Sequence, residues 1–181
     1  DSWCAMGRIA WFDALSRKRY GDVDGFYDHI LNPLQQLLIS HTWMRERLHC
    51  DGTQELNRTE AYFEYPAVVS MLLREVKYGI DIGYRTVSIS PFGISEYNYH
   101  VGSVHVDFSP SEVVLELPGD KSVSSYSLHG VAKSTEFTIV VSGDKCPNSG
   151  KNDESKSSDS DGNLTFLAPQ GFGCVVTCKA G

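Results

Sequence analysis

Long apolar runs are missing from this chain: no stretch approaches the roughly 18 residues that would mark a membrane-spanning helix. Basic residues are scarce, with 16 Lys and Arg against 23 Asp and Glu and a formal net charge of −7. That balance argues against a protein that grips phosphate backbones, so no nucleic-acid partner is expected. No Cys-x-x-Cys pair is present, which disfavours a zinc ribbon or a thioredoxin-like site. The six histidines form no His-Glu-x-x-His and show no metal-ligand spacing, so neither a metal nor a cofactor is expected. His100 and His105 fall on opposite faces if one strand runs through both. No Gly-x-Ser-x-Gly elbow occurs, so the usual mark of a serine hydrolase is lacking. Gly143-Asp144-Lys145 lacks the spacing of a phosphate-binding loop, and Gly171-Phe172-Gly173 opens a strand rather than a helix. The opening Asp1-Ser2-Trp3-Cys4 has neither the basic head nor the apolar stretch of a signal peptide. With no initiator Met, a processed or truncated chain is expected.

What is present suffices for a folded core. Of 181 residues, 41% are hydrophobic and 22% charged, which excludes a wholly disordered chain. Five cysteines leave at least one unpaired or paired outside the chain. Cys174 and Cys178 lie on one strand pattern, their Cα atoms about 13 Å apart, too far to bridge without a sharp bend. Two glycosylation sequons, Asn57-Arg58-Thr59 and Asn163-Leu164-Thr165, point to the secretory pathway or the extracellular space.

The patterning changes near residue 84. Before it, Ile9, Phe12, Ala14 and Leu15 predict a helix over about residues 3–19, ended near Gly21. Phe26, Ile30, Leu31, Leu34, Leu37 and Leu38 follow a helical spacing that Pro33 interrupts. Either Asn32 caps a new helix with Pro33 in its first turn, or the helix kinks there. Residues 43–64 read as a long loop, and a third helix starts at Pro66. Val68, Val69, Met71, Leu72, Leu73 and Val76 give that helix a wide apolar stripe, with Gly79 as its stop.

After residue 84 the period is two. Val104, Val106 and Phe108 share one face, as do Val113, Leu115 and Leu117; Phe137, Ile139 and Val141; Leu164, Phe166 and Ala168; and Phe172, Cys174 and Val176. Thr86–Ile89, Tyr97–His100 and Ser122–Leu128 add further strands. These predict an antiparallel β-sandwich over residues 85–181, with 143–162 as a flexible Ser/Asp/Gly/Lys insertion. The wide stripe and the aromatic load of residues 1–84 suggest a helical part that is incomplete alone.

The order of helix, "HTWMRERLHCDG" (41–52), loop, "YFEYPAVVSMLLREVKYGID" (62–81) and a β-domain opening "VSISPF" (87–92) resembles the C-terminal end of the six-hairpin glycosidases, most of all the α-L-rhamnosidase family. Thr42 precedes Glu46 by four residues, as one family threonine does, and Lys77-Tyr78-Gly79-Ile80-Asp81 resembles the end of the family's last helix. Arg45 stands where the family has Trp, and Glu64-Tyr65-Pro66 replaces an Asn-His pair. The resemblance implies an α+β chain: the last helices of an (α/α)6 barrel over residues 1–84, then an accessory sandwich. It implies a fragment of an inverting glycoside hydrolase, inactive without an upstream part of the same protein that supplies the general acid.

Inverting hydrolysis needs one carboxyl group to donate a proton and another to activate water. The resemblance gives the second role to Glu46, and its neighbours Arg45 and Arg47 favour the ionised form that a base requires. Trp43, Tyr62 and Tyr65 are the candidate rings for stacking on a carbohydrate substrate. The alternative reading is a non-catalytic carbohydrate-binding or adhesion module, working through the sandwich.

Overall fold

A computed structural model describes residues 3–5, 7–40, 48–49, 64–143, 146–147 and 154–181. The chain divides into two compact units, residues 1–77 and 78–181.

In the first unit, strand β1 (Trp3–Ala5) pairs with β2 (Leu48–His49). Helix α1 (Gly7–Tyr20) ends at Gly21, whose φ of +72° is the left-handed stop that glycine adopts at least cost. Asp22 caps α2 (Val23–Phe26) by accepting the Gly25 N–H at 3.0 Å. The helix then passes through a π-turn (Tyr27–Leu31) into α3 (Asn32–Ser40). Asn32 is itself helical (φ −62°, ψ −46°), so it is no cap and Pro33 does not break the helix. Proline lacks the N–H that would close an ordinary turn, and the wider π-turn sits just where that mismatch falls. Helix α4 (Glu64–Met71) likewise continues as π-helix through Leu72–Lys77.

The second unit is a two-sheet sandwich. One sheet has the strand order β10-β9-β12-β7-β6-β5, and the other the order β11-β8-β4-β3. In chain order the strands are β3 (Ile80–Gly83), β4 (Thr86–Ile89), β5 (Tyr97–Val101), β6 (Val104–Phe108), β7 (Glu112–Glu116), β8 (Asp120–His129), β9 (Glu136–Ser142), β10 (Glu154–Ser157), β11 (Asn163–Gly171) and β12 (Val175–Ala180). Alternate residues point inward and meet in one core. Val87, Ile89, Tyr126, Leu128, Leu164 and Phe166 enter it from the smaller sheet; Val106, Phe108, Val113, Leu115, Phe137, Ile139 and Val176 enter from the larger. Two in-register pairs stack ring on ring: Tyr126 on Phe166 at 5.0 Å and Tyr97 on Phe108 at 5.5 Å.

Two expectations are corrected here. The chain is not the end of a helical barrel followed by a sandwich: its described residues are mostly β, with short helices in the first unit. The wide stripe after Pro66 suggested a helix inside a larger ring, yet Val68, Val69, Leu72 and Val76 are each at most 7% exposed within this chain. A stripe already covered does not call for further helices. The sandwich is also not purely antiparallel, because β4 pairs with β8 in parallel. The chain leaves the small sheet after β4, makes β5, β6 and β7 in the other sheet, and returns as β8 in the same direction.

Residues expected at the end of the last helix instead begin the sandwich. The helix stops at Lys77, and Gly79 (φ +66°) turns the chain so that Ile80 starts β3. A Cβ at Gly79 would lie 1.8 Å from the Ser90 carbonyl oxygen, so no other residue fits without displacing that backbone. The stretch 143–162, expected to be a flexible insertion, contains β10, paired along β9. Its Cys146 is joined to Cys174, with Cα atoms 5.0 Å apart. Cys178 is buried without a disulfide partner, and burial pushes its thiol up to about 12. Among the described residues no helix is long and apolar enough to cross a membrane.

The Cys146–Cys174 bridge closes a loop with a sequence separation of 28. Chain-entropy reasoning gives such a loop about 3–4 kcal/mol of stabilisation. Replacing both cysteines with serine is expected to lower the stability of the sandwich by up to that amount. Guanidinium titration followed by amide exchange in β9 and β12 checks this.

Candidate functional site

Many residues facing away from the core on the larger sheet are polar, and three strands bring several of them together. The two-residue turn Gly102-Ser103 folds β5 back on β6, placing Asn98 opposite Asp107 and His100 opposite His105. Strand β7 then sets Glu116 beside His105 and Val114 beside Asp107. The two histidines therefore share one face, contrary to the reading of a single continuous strand. Gly-Ser between two alternating runs is the signal for that hairpin.

Asp107 is the hub of this surface. Its Oδ1 accepts the Asn98 Nδ2–H at 2.7 Å and the His100 Nε2–H at 2.7 Å. The Asn98 amide, seconded by His100, holds the Asp107 carboxyl below the usual carboxylate range. The His100 and His105 rings stack at 4.9 Å. His105 Nε2 donates to the Gly102 carbonyl at 3.2 Å, and its Nδ1 lies 3.5 Å from Glu116. These side chains are between a quarter and a half exposed, so their contacts orient them more than they stabilise the fold.

Beside this network lies a shallow hollow of about 350 Å³ lined by Glu96, Asn98, Asp107, Ser109, Glu112 and Val114. Its rim is rigid. The Ser109 hydroxyl accepts the Glu112 N–H at 3.0 Å, and the Ser109 N–H donates to the Glu112 carbonyl at 2.9 Å. Lys179 of β12 stands 3.8 Å from Glu112. The hollow thus offers an amide, a hydroxyl and carboxylates, a polar set matched to a hydroxyl-rich ligand. Among the described residues no group of three His, Cys, Asp or Glu side chains could hold a metal ion.

Glu46, Trp43 and Tyr62 are outside the described residues. Tyr65 sits in α4 with no exposed surface, so its ring offers no face to a sugar. Asn163, in the second sequon, is half-buried, and its Nδ2 donates to Asp159 at 2.9 Å.

Because the Asp107 pKa is depressed in the folded state, its contribution to stability is present above the ordinary carboxylate pKa, about 3.9, and is lost as pH falls through the lower folded value. Asp107→Asn is expected to flatten the loss of stability below about pH 4 while leaving the profile near neutrality unchanged. Thermal midpoints measured from pH 2 to 7 check this.

No protein-family model matches the chain, and no curated protein matches it. Among solved structures it is similar to a Paenibacillus polymyxa xyloglucanase from glycoside hydrolase family 44, at 13% identity and a TM-score of 0.32. The similarity covers 44% of this chain and 16% of that one, so the chain spans less than a fifth of the neighbour's length. That neighbour belongs to a different glycosidase family from the α-L-rhamnosidases, and a likeness of this extent fixes neither fold nor activity.

Proposed function

We propose that this chain is part of a carbohydrate-processing protein and that its sandwich is a non-catalytic domain that contacts sugar through the hollow at Asn98, Asp107 and Glu112. One observation carries the reading. A preoriented amide–carboxylate pair, Asn98 to Asp107 at 2.7 Å, lines an open polar hollow. Sugar hydroxyls both donate and accept, and a fixed carboxylate beside a fixed amide meets both needs without reordering side chains. An open hollow does not exclude water, which suits binding more than bond cleavage.

Hydrolysis, in this reading, belongs to Glu46, whose arginine neighbours favour the ionised form a water-activating base needs. The general acid would come from another part of the protein. The Cys146–Cys174 disulfide and the two sequons support an extracellular or secretory location.

Neutral oligosaccharides added at millimolar concentration are expected to shift the amide resonances of Asn98, Asp107 and Glu112, and Asn98→Ala is expected to weaken binding by about tenfold. Saccharides that leave those resonances in place refute the binding role. Glu46→Gln in the full-length protein is expected to lower turnover by about 10²–10⁴-fold with folding intact. Unchanged turnover removes Glu46 from the mechanism.

A further inference from the structure

The smaller sheet carries a hydrogen-bonded chain that a sugar contact at the hollow does not use. Ser127 and His129 lie two residues apart on β8, on the face turned away from the core, and Asn163 opens β11 directly opposite His129. Ser127 Oγ is 3.0 Å from His129 Nε2, and His129 Nδ1 is 2.7 Å from Asn163 Oδ1. Asn163 Nδ2 lies 2.9 Å from Asp159 Oδ2. Asp159 Oδ1 also accepts the backbone N–H groups of Asp161 at 2.9 Å and of Asn163 at 2.8 Å.

The direction of each bond follows from chemistry. Hydrogen bonds from the Asn163 backbone and side chain hold the Asp159 carboxyl below its ordinary range, so it is an ionised group that only accepts. The Asn163 atom facing it is therefore the NH₂, and the atom facing His129 is the carbonyl oxygen. A carbonyl only accepts, so His129 carries its proton on Nδ1. In the neutral ring Nε2 is then the acceptor, and the Ser127 hydroxyl donates to it. This is a nucleophile, a base and a group that orients the base. Ser88 on β4 and Thr165 on β11 stand opposite Ser127 in the two neighbouring ladders, bringing hydroxyl donors to either side of it.

We propose that Ser127 is an activated nucleophile that takes the acyl group from a short-chain carboxylic ester. Ser127 Oγ attacks the ester carbonyl and its proton passes to His129 Nε2. The bond to the alcohol oxygen breaks, the alcohol leaves with that proton, and an acyl-Ser127 ester remains. Water then attacks this ester, His129 takes the water's proton and returns it to Ser127, and the carboxylic acid departs. Asn163 and Asp159 are positioning residues that fix the ring's tautomer. The site lies on an open face, which suits a small ester projecting from a larger molecule.

A fluorophosphonate probe tests the nucleophile directly, since Oγ–P bond formation expels fluoride and passes the proton to His129. Ser125, two residues earlier on the same face and also half-buried, has no imidazole bonded to it among the described residues and serves as the control within the same molecule. Peptide mass spectrometry of the labelled full chain is expected to find Ser127 modified on the order of a hundredfold faster than Ser125. The Ser127 rate is expected to fall in His129→Gln and Asn163→Ala. With 4-nitrophenyl acetate, an acetyl group is expected on Ser127 and is expected to be absent in Ser127→Ala. Equal labelling of Ser125 and Ser127 overturns the proposal, and needs no variant that must fold. An unchanged Ser127 rate in a His129→Gln protein of unaltered thermal midpoint overturns it as well.

Discussion

The period-two alternation of the sandwich strands is the constraint on which the rest depends. Inward residues of both sheets share one core, and Ile80, Ile89, Val106, Leu128 and Phe137 in it are completely buried. Sliding any of these strands by one residue would expose its apolar set and bury its polar set. Full burial of one such side chain is worth about 1.5–3 kcal/mol, so a strand with three of them resists the slip strongly. The outward residues are then held as firmly as the core. Asn98, His100 and Asp107 on one face, and Ser127 and His129 on the other, stand where they do because Tyr97, Val106, Phe108, Tyr126 and Leu128 cannot turn outward.

The strands were legible because their alternation is local. Val104–Phe108, Val113–Leu117 and Phe137–Val141 each declare a face within five residues. What lies between strands was less legible. Gly102-Ser103 decides whether His100 and His105 oppose each other or point apart, and two residues of turn chemistry carry that whole difference. Pairing between distant strands left no local mark. The parallel match of Thr86–Ile89 with Ser125–Leu128 is set by the path of three strands in the other sheet. Asn163 meets His129 only because β11 returns along β8.

The helical unit misled for a different reason. A stripe as wide as Val68–Val76 tells how much of a helix is buried and says nothing about what buries it. A long barrel stave and a short buried helix present the same residues. Pro33 raised a similar ambiguity, since a cap, a kink and a π-turn all reconcile proline with a helix, and only the helical dihedrals of Asn32 distinguish them. Tyr65 is fully buried, a property that an aromatic beside a charged loop does not reveal in sequence.

The two outer faces differ in what their polar groups are free to do. On the larger sheet Asp107 accepts from two partners and keeps its charge, so it acts as an anchor with fixed acceptors facing the hollow. Such a group cannot readily shuttle a proton, because the bonds that hold it ionised oppose protonation. On the smaller sheet the chain ends in a hydroxyl whose only proton points at a neutral imidazole nitrogen. An imidazole nitrogen within hydrogen-bond reach of a hydroxyl is placed to accept its proton. At the far end Asp159, held by the backbone N–H groups of Asp161 and Asn163, acts through the Asn163 amide, which orients the ring. The same sandwich thus carries two polar networks on opposite faces, one centred on a carboxylate that only accepts and one ending in a hydroxyl beside an imidazole.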